Sequence, residues 1–481
     1  MSDAERDMDH DFRQSLLEDL KSLVRIPSVT AAPAEGSPFG EAVERALEKA
    51  LALAGERGFI TENHDGWYGT AFLRPYRPGE PLIGIFSHLD VVEPGEGWIY
   101  KPFEPVEEND FLIGRGAGDN KSGAVIGLYA MQRIKEEEIP LQSNVMLYFG
   151  TNEESGMKDV ERFLQDGPVP DYSMVPDLFF PVCYGEKGSL KLWLCAKRPF
   201  RQVIAFQNGK ADNIIPDCAQ AELRLSPGLV KELEAKAGKD ESVQWTQDQD
   251  TVMVSAHGTG GHSAMPKGKT NAIVLLAGFL SGLESLDSQD RGVLETLAFW
   301  GGDVEGTNLE IDCSDEPSGA LVSTPVRTEL ENGALKVMFS TRYPVTGSSS
   351  CILEALLPAL EAGQYLLTEY DDHPPMYRDP DSPFIRTLMG AYRDVVGKDK
   401  KPFVIDGGTY ARKLPHAVGF GGGNGIRADF LPEGHGAVHQ PDEARSIPGI
   451  LEAVEVYVRA LQDVDRLISQ EHILSCEGES L

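Results

Sequence analysis

The sequence is poor in cysteine and poor in positive charge, and each shortage removes a class of function. Only six cysteines, Cys183, Cys195, Cys218, Cys313, Cys351 and Cys476, occur in 481 residues, with no C-x-x-C pair and no regular spacing. That pattern argues against a disulfide framework and against a thiolate zinc site. Lys and Arg number 44 against 76 Asp and Glu, a net charge of −32. Such a chain repels phosphate backbones and anionic bilayers, so neither nucleic acid nor membrane is expected as a partner. Nowhere is there the run of about 18 apolar residues that a membrane span requires. The opening M-S-D-A-E-R-D-M-D-H is polar and acidic where a secretory leader is basic and then apolar, so the cytoplasm is the expected compartment.

What is present is an ordinary globular composition, 41% hydrophobic and 25% charged, in a chain long enough for two or three domains. Phe12, Leu16, Leu17, Leu20 and Val24 recur at helical spacing. Beyond them, residues 82–86 read as a buried strand, 122–138 as a helix and 144–149 as another strand. This alternation predicts α/β architecture. From about Gly188 the pattern changes to alternating strands, such as 335–342, with helices over 272–283 and 350–362. A helix after Pro380 and an amphipathic helix over 450–461 close the chain. The expected fold is therefore α/β. A discontinuous catalytic domain with a mixed, mostly parallel sheet flanked by helices covers 1–187 and 379–481, and an inserted α+β lid domain covers 188–378.

Chemistry-bearing residues follow several of the apolar runs. His88 and Asp90 lie two apart at a strand end, so strand alternation sends both to one face. A ligand and its orienting carboxylate fit this, and so does a surface turn. Asp119 sits in G-R-G-A-G-D-N-K-S-G, which matches neither the dinucleotide fingerprint nor the P-loop. A carboxylate held at the strand's C-terminal edge is the better reading. Asp177 follows Val175 and Pro176, a setting that alone also suits a turn. Together His88, Asp119, Asp177, Glu154 and His439 make two imidazoles and three carboxylates, a composition for two divalent ions sharing one bridging carboxylate. Glu153, adjacent to Glu154, is then placed to take a proton from the reacting water and pass it to a leaving amine.

The segments S-H-L-D-V-V, G-R-G-A-G-D-N-K-S-G, T-N-E-E-S-G, V-P-D and H-Q-P-D-E, in that order, resemble the dizinc aminoacylase and peptidase clan, and within it the PepV-like dipeptidases. The resemblance begins at L-V-R-I-P-S-V and covers nearly the whole chain. It implies one ion on His88, Asp119 and Asp177 and the other on Asp119, Glu154 and His439. Zinc is the expected metal, with manganese or cobalt as alternatives. Asp90 would orient His88, and Glu153 would be the base. The third ligand, Asp177, is of the type found in the clan's aminopeptidases and dipeptidases, whereas its carboxypeptidases and deacylases tend to carry Glu.

The same resemblance implies roles inside the insert. His262, in G-G-H-S-A-M-P, would stabilise the developing oxyanion. Asn213 and Arg342 match substrate-side positions, with Arg342 suited to bidentate binding of a carboxylate. The loop D-G-G-T-Y-A-R, through Gly407, Gly408 and Thr409, resembles the clan's loop for the same carboxylate. The implied protein is a monomeric metallopeptidase that hydrolyses dipeptides with a free N-terminus. Deacylation of an N-acyl or succinylated amino acid is the alternative, and a catalytically silent metal- or peptide-binding homologue is a further one.

Overall fold

The structure, a computed structural model, describes residues 3–209, 211–237 and 241–478. Its contacts divide into two compact units. The first comprises residues 1–184, 378–403 and 408–481, and the second residues 185–377 and 404–407. Two of the four boundaries fall inside strands, Val182–Glu186 and Phe403–Ile405.

The first unit is built on a sheet with the strand order Ile60–Asn63, Tyr68–Phe72, Asn144–Gly150, Leu82–His88, Tyr172–Val175, Ala417–Phe420. The last four run parallel, and the two outer strands before them are antiparallel. Every residue of Leu82–His88 and of Asn144–Gly150 is buried. This explains their continuous apolar character, because helices cover both faces of a parallel sheet. The helix Lys121–Glu136 connects those two strands, and Lys158–Asp166 leads on to Tyr172–Val175. Helix Glu41–Glu56 buries Val43, Ala46, Leu47, Ala50, Leu53 and Ala54, a single stripe at intervals of three and four.

The closing helix is much longer than the pattern over 450–461 predicts. It runs Ile447–Gly478, and beyond Leu461 its buried face continues through Val464 and Ile468. Buried Asp465 on the same helix accepts the backbone N–H groups of Gln142 and Ser143. A polar residue in the stripe hides the continuation from a purely apolar pattern. Among the described residues, no helix is long and apolar enough to cross a membrane.

The second unit has its own core and two four-stranded antiparallel sheets. One orders as Val322–Glu331, Ala334–Tyr343, Gly188–Ala196, Tyr365–His373, and the other as Val203–Asn208, Cys218–Arg224, Thr251–His257, Val243–Asp248. Strand Ala334–Tyr343 is buried at nearly every position rather than at alternate ones. It is paired along both edges, and polar side chains on it find partners: Lys336 ion-pairs with Glu369, and the hydroxyls of Ser340 and Ser263 hydrogen-bond to each other.

Candidate metal centre

Parallel register collects three of the candidate segments of the first unit, those with His88, Glu153–Glu154 and Asp177. His88 pairs across with Gly150, so the turn after Gly150 delivers Glu153 and Glu154 beside the end of the strand that carries His88. Ile85 pairs with Met174, and Asp177 lies three residues beyond Met174. Open α/β sheets place their sites at this C-terminal edge, where strands stop and loops begin. Gly150 cannot carry a side chain, because a Cβ would lie 2.0 Å from the hydroxyl of Tyr410.

Asp119 stands at the centre of the cluster. One of its oxygens is 3.0 Å from His88 Nε2 and the other 3.0 Å from His439 Nε2. His88 Nε2 is also 3.6 Å from an Asp177 oxygen, and His439 Nε2 is 3.2 Å from Glu154 Oε1. Donors about 2.0–2.1 Å from a tetrahedral ion lie about 3.3 Å from one another, so these spacings suit ligands sharing an ion. The ligand atoms of His88, Glu153 and Asp177 fall within 4.8 Å of one another, and so do those of His88, Asp119 and Glu154. Glu153 thus belongs to the cluster along with its neighbour.

The electrostatics fit divalent cations. Burial, reinforced by Asp119, pushes Glu154 up to about 7 and Asp177 up to about 6. Burial likewise holds Glu153 well above the usual carboxyl range, with Asp177 and Glu154 adding repulsion against the opposing pull of His88. Burial also disfavours the charged form of Asp119, but hydrogen bonds from His439 and His88 overcome it and hold Asp119 well below its usual value. Burial opposes protonation of His439, yet Asp119 and Glu154 raise it to about 11. A bound divalent cation answers this excess of buried carboxyl groups, since it reverses the local preference for protonation. Among the described residues the side-chain oxygen of buried Asn120 has no hydrogen-bond partner, and its Nδ2 donates to Asp177 and, at 3.1 Å, to the carbonyl of Pro176.

Asp90 is fully buried, and its carboxylate does more than face His88. Oδ1 accepts from the backbone N–H of Glu153 at 3.1 Å and Oδ2 from that of Glu154 at 3.0 Å. His88 Nδ1 lies 2.9 Å from the main-chain oxygen of Asp90 and 3.5 Å from Oδ1. One residue therefore touches the imidazole through its backbone and holds the paired glutamates through its side chain. Buried Asp159 repeats the device one turn away, accepting from the N–H groups of Thr151 and Asn152 and from the Tyr410 hydroxyl. Sequence reasoning missed Asn120, Asp159 and Tyr410. Asn120 and Tyr410 stand in Gly-rich stretches, whereas Asp159 lies in the charged segment M-K-D-V-E-R and left no signal.

His439 adopts φ +62° and Asp442 φ +53°, both in the left-handed region that non-glycine residues avoid. Such strain persists only where the surroundings enforce it. Here Asp442 is buried, accepts from Ile99 and Tyr100 N–H, and contacts His435 Nδ1 at 2.5 Å.

The remaining candidates lie elsewhere. Asn213, His262 and Arg342 belong to the second unit, where hydrogen bonds link the segments that carry them. Ile214 pairs with His262, Ser263 N–H donates to the Asn213 carbonyl at 2.8 Å, and Ser263 meets Ser340, two residues before Arg342 on the same strand. His262 Nδ1 accepts from Ala264 N–H at 3.2 Å, which leaves the proton of the neutral ring on Nε2. The boundary between units separates Gly407 from Gly408 and Thr409, and the Thr409 hydroxyl caps the short turn that follows by accepting from Ala411 N–H.

A cluster of one buried and one exposed imidazole with several carboxylates, beside the C-terminal edge of a parallel sheet, is a candidate dinuclear cation site of the hydrolase type. Residues 84–463 match the model of peptidase family M20/M25/M40. The chain belongs to this family of metallopeptidases. It is 31% identical over 468 residues to YtjP of Bacillus subtilis (strain 168), named as a candidate dipeptidase, covering 94% of this chain and 97% of that protein. A Staphylococcus aureus (strain MW2) protein with the same description is 26% identical over 478 residues, covering 94% and 97%. Among solved structures, human carnosine dipeptidase 1 superposes with a TM-score of 0.57 at 14% identity, covering 94% of this chain and 96% of that one. Aminoacylhistidine dipeptidase from Vibrio alginolyticus gives 0.54 at 15% identity, covering 93% and 96%. At these identities the structural likeness establishes the fold.

Proposed function

We propose that the protein is a two-ion dipeptidase that hydrolyses the peptide bond of dipeptides with a free N-terminus. The observation that carries the chemistry is the Asp119 carboxylate, one oxygen toward His88 and the other toward His439, with Glu153 and Glu154 held by a single buried carboxylate. The dipeptide substrate rests on the relatives named for that activity.

His88, Asp119 and Asp177 would hold one divalent ion and Asp119, Glu154 and His439 the other, with zinc as the metal. Bound there, such a pair polarises a carbonyl and lowers the pKa of water. Glu153 acts as the proton carrier: its carboxylate takes the proton from the attacking water and delivers it to the departing amine. Asp90 keeps Glu153 in place, because its Oδ1 fixes the backbone from which that side chain springs. His262 serves as the oxyanion donor, a role that suits a ring whose Nδ1 accepts and whose Nε2 carries the proton. Arg342 and the loop through Gly407, Gly408 and Thr409 bind the substrate carboxylate, and Asn213 supports the scissile carbonyl from beside His262. We assign the enzyme to the cytoplasm as a monomer.

The test compares Ala-Ala-type dipeptides with N-acetyl amino acids on ion-reconstituted enzyme. Turnover of the dipeptides with little on the acylated set supports the assignment. Turnover of the acylated set alone would assign the site to a deacylase.

A further inference from the structure

Glu443 is fully buried, and its carboxylate is aimed at the backbone of the loop that carries Asp119. Oε1 accepts from Gly118 N–H at 2.7 Å, Asp119 N–H at 2.9 Å and Gly116 N–H at 3.2 Å. Oε2 accepts from buried Arg115 Nη1 at 2.6 Å, and the main-chain oxygen of Glu443 takes Gly114 N–H at 2.8 Å. Gly116 adopts φ +86°, a left-handed conformation that glycine reaches without cost and that turns its N–H toward the carboxylate. Glu443 lies four residues after His439, on the strained segment that contains it. One side chain thus connects the segment bearing His439 to the loop bearing Asp119, more than 300 residues away in sequence.

We propose that Glu443, supported by Arg115, is a positioning residue that sets the distance between Asp119 and His439 and so tunes the affinity of the metal pair. Three amide donors on one oxygen and a guanidinium on the other leave the carboxylate no slack, so a shift of either loop carries the other with it. Glutamine at this position can still accept the three amides through one oxygen. Its NH2 group then points at Arg115 Nη1, donor against donor, and the two loops are pushed apart. Groups behind metal ligands typically change metal affinity by about 10–100-fold when altered.

The inference rests on the metal-site assignment, and the experiment separates the two. Full-length protein is stripped of ions with a chelator and titrated with Co(II), reading visible absorbance and stoichiometry, while urea unfolding of the stripped protein reports the fold. Wild type is expected to bind two equivalents; failure to do so would overturn the site assignment and the inference together. Glu443→Gln is expected to bind Co(II) about 10–100-fold more weakly with an altered spectrum, and to recover turnover at high Co(II). Asp465→Asn is the control, because Asp465 is a buried carboxylate that also accepts backbone amides, those of Gln142 and Ser143. It is expected to lower the urea midpoint while leaving Co(II) affinity unchanged. Wild-type Co(II) affinity in Glu443→Gln, or equal weakening in Asp465→Asn, would overturn the proposal. If Glu443→Gln is not recovered folded, Arg115→Lys carries the test: affinity reduced several-fold supports the coupling, and unchanged affinity overturns it.

Discussion

Replacing Asp90 by asparagine removes one of two hydrogen bonds that hold the paired glutamates while keeping the size of the side chain. The retained oxygen accepts from one backbone N–H, that of Glu153 or Glu154, and the new NH2 group faces the other. A hydrogen bond to a charged acceptor contributes about 1.5–3 kcal/mol, and a buried donor left without a partner costs about 1–3 kcal/mol. The two figures overlap, so the expected loss of stability is about 2–4 kcal/mol. Because the turn carrying Glu153 and Glu154 is then free to move, turnover should also fall. A displacement of about 1 Å at a reacting group costs on the order of 100-fold. Urea unfolding of the ion-free protein measures the first quantity, and kcat on a dipeptide at saturating ion, well below the unfolding midpoint, measures the second. Wild-type stability and wild-type kcat together would refute the reasoning. Lost stability with intact kcat would reduce Asp90 to a structural clamp.

Three further outcomes are expected. His262→Ala should lower kcat by about 10²–10³-fold, the usual cost of losing one oxyanion donor, while elemental analysis finds an unchanged ion content. Arg342→Ala should raise KM for dipeptides more than it lowers kcat, and the difference should shrink for substrates whose C-terminal carboxylate is amidated. Glu232 offers a pH test away from the site. Burial opposes its ionisation, but Ser285, the N–H of Glu284 and Lys236 hold it down at about 2. A folded-state value below the ordinary 4.5 means that unfolding takes up a proton as pH falls. The stability this group contributes is therefore fully present above about 4.5 and lost between about 4.5 and 2. Glu232→Gln should flatten that part of the stability curve measured by urea unfolding.

The fold class was legible because the parallel strands announce themselves as continuous apolar runs, and three of them end in or lead into short polar segments containing His88, Glu153 or Asp177, whereas Asp119 follows the short antiparallel strand Phe111–Ile113. Order along the chain carried the family, since the motifs occur in one sequence with one spacing. Other features depend on contacts between distant segments and leave little local trace. Glu443 reads as one of two acids after Q-P, and only the fold brings it against Gly116, Gly118 and Asp119. Asp90 was legible as a partner of His88 through its spacing of two, whereas its grip on the backbone of Glu153 and Glu154 arises from the packing of adjacent parallel strands. The length of the helix Ile447–Gly478 escaped an apolar pattern because Asp465 interrupts it with a buried carboxylate that serves a neighbouring turn.

The role of Glu153 is the centre of the account, and Glu153→Gln tests it most directly, with bound ions counted by elemental analysis and turnover measured on the same sample. The expected result is two ions per chain, as in wild type, with dipeptide turnover lower by about 10²–10⁴-fold. Wild-type turnover with both ions in place would contradict the assignment of Glu153 as the proton carrier.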